Sequence, residues 1–119
     1  MMALHNTRGK EGEEMAAKYL SGHGFEIMVR NWKCSYYEID VIATKMGILH
    51  FIEVKTRHSL TFGFPEEGVS RKKFNNIKKA AAYFVSKYQW KARIQFDILS
   101  ILCTKGKPAE FLFIEDVYL

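Results

Sequence analysis

Apolar residues recur at two different rhythms along this chain, and the changes of rhythm mark its elements. In GEEMAAKYLSG, residues 12–22, Ala16, Ala17 and Leu20 share one side of a 3.6-residue spiral while Glu14 and Lys18 share another, which predicts a helix ended by Gly22 and Gly24. FEIMVRNW, 25–32, reads as a strand. Residues 37–57, YEIDVIATKMGILHFIEVKTR, read as two apolar strands around a tight turn centred on Met46 and Gly47. VSRKKFNNIKKAAAYFVSKYQW, 69–90, spaces Phe74, Ile77, Ala81, Phe84 and Tyr88 at three- and four-residue steps behind Ser70, a fitting N-cap, and predicts a second helix. Two strands near ARIQFDILSILC, 92–103, and EFLFIEDVYL, 110–119, flank a TKGKP turn. The order α-β-β-β-α-β-β implies a mixed sheet covered on at least one face by helices, an α/β or α+β architecture.

Composition narrows the setting. With 119 residues and 48% hydrophobic content, the chain suits one domain, 1–119, with a real core. Cys34 and Cys103 show neither CxxC spacing nor a histidine cluster, so free thiols in a reducing compartment are expected. The polar start and the lack of any run near 18 apolar residues predict a cytoplasmic protein with no membrane span. A net charge of +5 favours an anionic partner such as nucleic acid.

That charge is unevenly placed. Between Gly68 and Gln95 stand Arg71, Lys72, Lys73, Lys78, Lys79, Lys87, Lys91 and Arg93, and no acid. Arg71 with Lys78 and Lys72 with Lys79 recur at seven residues and line one side of the second helix, away from Phe74 and Ile77. Such a stripe suits a phosphodiester backbone, and equally suits a plain solvated face or an acidic protein partner. The stretch HSLTFGFPEEG, 58–68, interrupts regular structure. Its Phe62 and Phe64 either make a dimer or substrate contact or anchor the loop on the core.

The hairpin raises the chemical question, because it sets Glu38, Asp40, Glu53 and Lys55 among its valines and isoleucines. With Met46 and Gly47 in the turn, Lys45 pairs with Ile48, Asp40 falls opposite Glu53 and Glu38 opposite Lys55. Two carboxylates about 5 Å apart resist joint ionisation unless a cation sits between them, and oxygen ligands without His or Cys suit Mg²⁺ or Mn²⁺. Lys55 can reach the same place, to help deprotonate a water or to neutralise charge on a phosphate. The pattern alone also fits ordinary surface ion pairs. A third acid bears on the choice: Glu13 falls among Ala16, Ala17 and Leu20, on the apolar face of the first helix. Its alternative role is to complement the dipole near the helix start. Gly9 and Gly12 would let the helix start approach another backbone closely.

Five segments carry a resemblance: G-x-x-G-E-x-x-A at 9–16, E-I-D-V-I-A at 38–43, F-I-E-V-K-T-R at 51–57, F-G-x-P-E-E at 62–67 and F-D at 96–97. In that order, over nearly the whole chain, they resemble the bacterial YraN-like family of predicted endonucleases, distantly similar to Holliday junction resolvases and to the restriction-endonuclease-like fold. The resemblance implies an α/β domain of that fold with Glu13, Asp40, Glu53 and Lys55 as catalytic residues, the three acids holding Mg²⁺ or Mn²⁺. Glu13 would hold a second ion or a water on the first. It further implies hydrolysis of phosphodiester bonds in DNA, branched or repair-associated structures included, and a possible homodimer. Arg57, beyond the Glu-x-Lys, is the expected phosphate contact near the metal, with Arg71, Lys72, Lys78 and Lys79 along the backbone. The sequence departs from the family pattern at Tyr37, usually Gly, which would crowd the site, and at Gln95, usually Arg, which would remove a phosphate or carboxylate contact. The competing expectation is a nucleic-acid-binding protein that keeps the fold without turnover.

Overall fold

In the computed structural model of the chain, residues 3–35, 37–58 and 70–117 are described, with side chains from residue 11 onward. The elements are α1 (Ala3–Gly22), β1 (Glu26–Cys34), β2 (Tyr37–Lys45), β3 (Ile48–Arg57), α2 (Arg71–Lys87), β4 (Ile94–Leu102) and β5 (Glu110–Ile114). This is the predicted order, in an α/β fold. The loop carrying Phe62 and Phe64 lies outside the described residues. No helix among those residues is long and apolar enough to cross a membrane.

The strands form one five-stranded sheet in the order β1-β2-β3-β4-β5. Only β3 and β4 run parallel; the other neighbours are antiparallel, and the two parallel strands require the long crossover that α2 supplies. The hairpin register is as expected: Lys45 faces Ile48, and Met46 and Gly47 take φ of 51° and 79°, the left-handed pair that matches strand twist.

Helices cover both faces. On one, Ala16 and Leu20 of α1 and Phe25 pack with Val41, Ala43, Ile52, Leu99 and Ile101. On the other, Ile77, Ala80, Ala81 and Phe84 of α2 pack with Ile39, Ile42, Leu49 and Phe51. Ser70 caps α2 as expected, its Oγ accepting from Lys73 N–H at 3.1 Å. Tyr88 is the C-cap and stays half exposed, because the helix ends before it and its ring lies on Phe84 rather than in the core.

Three boundaries differ from the expectation, each for a physical reason. α1 starts at Ala3, well before residue 12, because ALHNTRGKE offers no apolar face to betray a helix. Glu13 therefore lies mid-helix, which removes its role as a dipole-complementing acid of the first turn. β5 ends at Ile114, where the chain turns: Asp116 has φ 56°, and its N–H bonds Asp97. In β2 the alternation of faces breaks, since Ile39 packs with the α2 core while Val41, two residues on, packs with the α1 core. The break falls on Asp40.

Candidate active site

That break decides the site. The β2–β3 ladder runs from Lys45 opposite Ile48 to Val41 opposite Ile52. Beyond it, side chains take over from the backbone: the Asp40 Oδ2 accepts the Val54 N–H at 2.8 Å, and the Glu53 Oε2 accepts the Asp40 N–H at 3.4 Å. The carboxylates are thus brought together by crossed side-chain bonds rather than by a regular rung. The ladder does not resume beyond the kink, so the expected Glu38–Lys55 rung does not form, and Glu38 is exposed.

Glu53 and Lys55 alternate with Ile52 and Val54 and lie on the α2 side of the sheet. Glu53 is buried at 5% exposure, and its Oε1 meets the Lys73 Nζ at 3.2 Å. Lys73 in turn lies within hydrogen-bond reach of the Lys55 amine. Sequence reasoning missed Lys73. Its signal was its spacing, because 73, 77, 80 and 84 step by four, three and four, placing a lysine at the head of the apolar seam of α2.

The electrostatics follow from burial and crowding. Asp40 is pushed up from 3.8 to about 7, first by desolvation and then by the Glu53 charge, against the lowering effects of the Val54 N–H and Lys73. Lys55 is lowered, chiefly by burial and then by Lys73 beside it. For Lys73, burial acts downward, but Lys55 as acceptor and the Glu53 and Asp40 carboxylates outweigh it and hold the ammonium above the usual lysine value. Of these two neighbouring amines, Lys73 holds its proton more firmly than Lys55.

The remaining predicted residues divide. Glu13 is partly buried on α1, at the point where that helix meets β3: a Cβ added to its neighbour Gly12 would lie 2.4 Å from the Thr56 Oγ1, so glycine makes room there for a side chain, where approach to a backbone was expected. Among the described residues no group of three His, Cys, Asp or Glu converges to hold a metal, and the acids brought together are Asp40 and Glu53. Arg57 is partly buried at the end of β3, while Arg71, Lys72, Lys78 and Lys79 are exposed on α2. Tyr37 packs against the α2-side core.

The donor set fits a hard divalent ion. Its donors are carboxylate oxygens, and each oxygen keeps a lone pair after the bonds above. Two crowded acids, Glu53 buried and Asp40 partly so, that resist joint ionisation gain most from a cation between them.

Asp97 belongs to a different construction. Its Oδ2 is 2.6 Å from the His50 Nδ1, and its Oδ1 accepts from the Gln95 Nε2 at 2.8 Å and from the Asp116 N–H at 3.0 Å. Gln95 therefore supplies the carboxylate contact that its departure from the family pattern had put in doubt.

A family model described as "Uncharacterised protein family UPF0102" matches residues 12–101. Among curated relatives, a "UPF0102 protein" of Dictyoglomus turgidum is 44% identical over 112 residues, covering 92% of this chain and 95% of the relative. One from Syntrophomonas wolfei is 45% identical, covering 87% and 91%. One from Phocaeicola vulgatus is 39% identical, covering 98% and 96%.

Proposed function

Since this chain belongs to the uncharacterised protein family UPF0102, a membership that names no activity, we propose from the geometry of its own site that it is a metal-dependent endonuclease hydrolysing phosphodiester bonds in DNA. The observation that carries this reading is the Asp40–Glu53 pair with two lysines: a partly buried and a buried acid set against each other, with the Lys73 ammonium on Glu53 and the Lys55 amine, its pKa lowered, beside them.

Asp40 and Glu53 would hold the ion, Mg²⁺ or Mn²⁺. When bound, that ion supplies Lewis-acid polarisation of the scissile phosphate and lowers the pKa of water. Lys55, whose pKa is lowered by burial, would accept the proton of the water that attacks phosphorus in line, while the P–O bond to the departing ester oxygen breaks and that oxygen takes a proton from solvent. Glu13, on α1 and apart from the pair, would reach a bound ion through a water. Arg57 contacts the phosphate beside the site, and Arg71, Lys72, Lys78 and Lys79, all exposed, track the strand. None of these contacts reads a base edge, which suits a substrate chosen by backbone shape, branched structures included.

The test is cleavage of duplex, flapped, branched and single-stranded DNA by the purified protein with Mg²⁺ or Mn²⁺, alongside Asp40→Ala. Cutting by the wild type that the variant loses while it still folds and binds DNA is the expected result. Failure on every substrate, with DNA binding intact, would leave a nucleic-acid-binding protein on this fold.

A further inference from the structure

Lys73 is placed against two electrostatic preferences. It stands in the first turn of α2, where the helix carries partial positive charge, and no acid accompanies it there. It also heads the seam of Ile77, Ala80 and Phe84 that meets the sheet, whereas Arg71, Lys72, Lys78 and Lys79 turn to solvent. What retains it is Glu53, whose Oε1 lies 3.2 Å from the ammonium. That oxygen is also one that a divalent ion on Asp40 and Glu53 would use. An ion ligated at about 2.0–2.1 Å and an ammonium at salt-bridge distance on the same buried carboxylate repel strongly in a medium that screens poorly.

We infer that Lys73 is a built-in counter-ion of the site: its ammonium takes the cation's place against Glu53 while the site is metal-free, and a divalent ion must displace it to bind. The inference rests on the metal reading of the Asp40–Glu53 pair. It makes two cations rivals for one carboxylate, so removing the resident one strengthens binding of the other. Because the Lys73 side chain is 45% exposed, the displaced ammonium has a path to solvent or to an anionic substrate.

The experiment is calorimetric titration of Mn²⁺ into the full chain, wild type against Lys73→Met, which keeps the aliphatic stem and removes the charge; Lys73→Gln serves if methionine does not fold. Lys73→Met is expected to bind Mn²⁺ about tenfold more tightly than wild type. In wild type, the Lys73 side-chain NMR resonances should shift as Mg²⁺ saturates the site. Equal Mn²⁺ affinity in both proteins, or weaker binding by the variant, overturns the inference and leaves the metal site standing. No Mn²⁺ binding by either protein removes the metal site and the inference together.

Discussion

Two aspartates on neighbouring parts of one sheet show what separates a carboxylate that holds a fold from one available for chemistry. Asp97, at 2% exposure, has its oxygens engaged by His50, Gln95 and the Asp116 N–H. Those bonds fasten the segment after β5 onto β4, where the Val117 N–H also reaches the Phe96 carbonyl at 2.8 Å. Asp40 is also held by the protein, but its fixed donor is one backbone N–H, and its neighbour is a second acid. The first carboxylate is surrounded by donors, and the second is left short of positive charge. A shortage of that kind is what a bound cation relieves.

The difference can be broken from either side. The largest effect belongs to catalysis: Asp40→Ala should lower the cleavage rate at least about 10³-fold, equivalent to some 4 kcal/mol of transition-state stabilisation, with little loss of folding stability. Next comes Asp97→Ala, expected to cost about 3 kcal/mol in urea unfolding, because His50 and Gln95 would lose a buried partner and the chain end its anchor. Wild-type-like stability in Asp97→Ala would contradict the structural role given to that residue.

The third effect is one of pH. The folded-state value of Asp40, about 7, stands above the ordinary 3.8, so between those limits the native protein keeps a proton that the unfolded chain has released. In metal-free protein, stability should therefore fall as pH rises from about 4 through about 7. A penalty on the order of 2 kcal/mol should remain at pH 8, after allowance for the partial exposure of the group. Thermal melts in chelator should show the fall in wild type and not in Asp40→Asn. A melting temperature independent of Asp40 across that range would mean that the two carboxylates do not oppose each other.

Much of this was legible in the sequence, and the exceptions share a cause. The Met46–Gly47 turn fixed the pairing of Lys45 with Ile48, and the spacing of Phe74, Ile77 and Phe84 located the buried face of α2, because local geometry governs both. The approach of Asp40 to Glu53 followed from counting back from that turn. The count failed one step further on: no strand pattern reveals that β2 changes face at Asp40, where its ladder with β3 stops, so the rung expected between Glu38 and Lys55 does not form. His50 and Asp97, 47 residues apart, meet only because β3 and β4 lie side by side in parallel across the crossover. Lys73 was passed over as one more lysine in a basic run, although its place in the apolar seam set it apart.

The account stands on Asp40 and Glu53 sharing a hard cation, and anomalous diffraction from a crystal soaked in Mn²⁺ tests that directly. The predicted result is a peak within ligand distance of both carboxylates, with the Lys73 ammonium withdrawn from Glu53. Saturating Mn²⁺ with no peak there, and the Lys73–Glu53 pair undisturbed at its 3.2 Å, would contradict it.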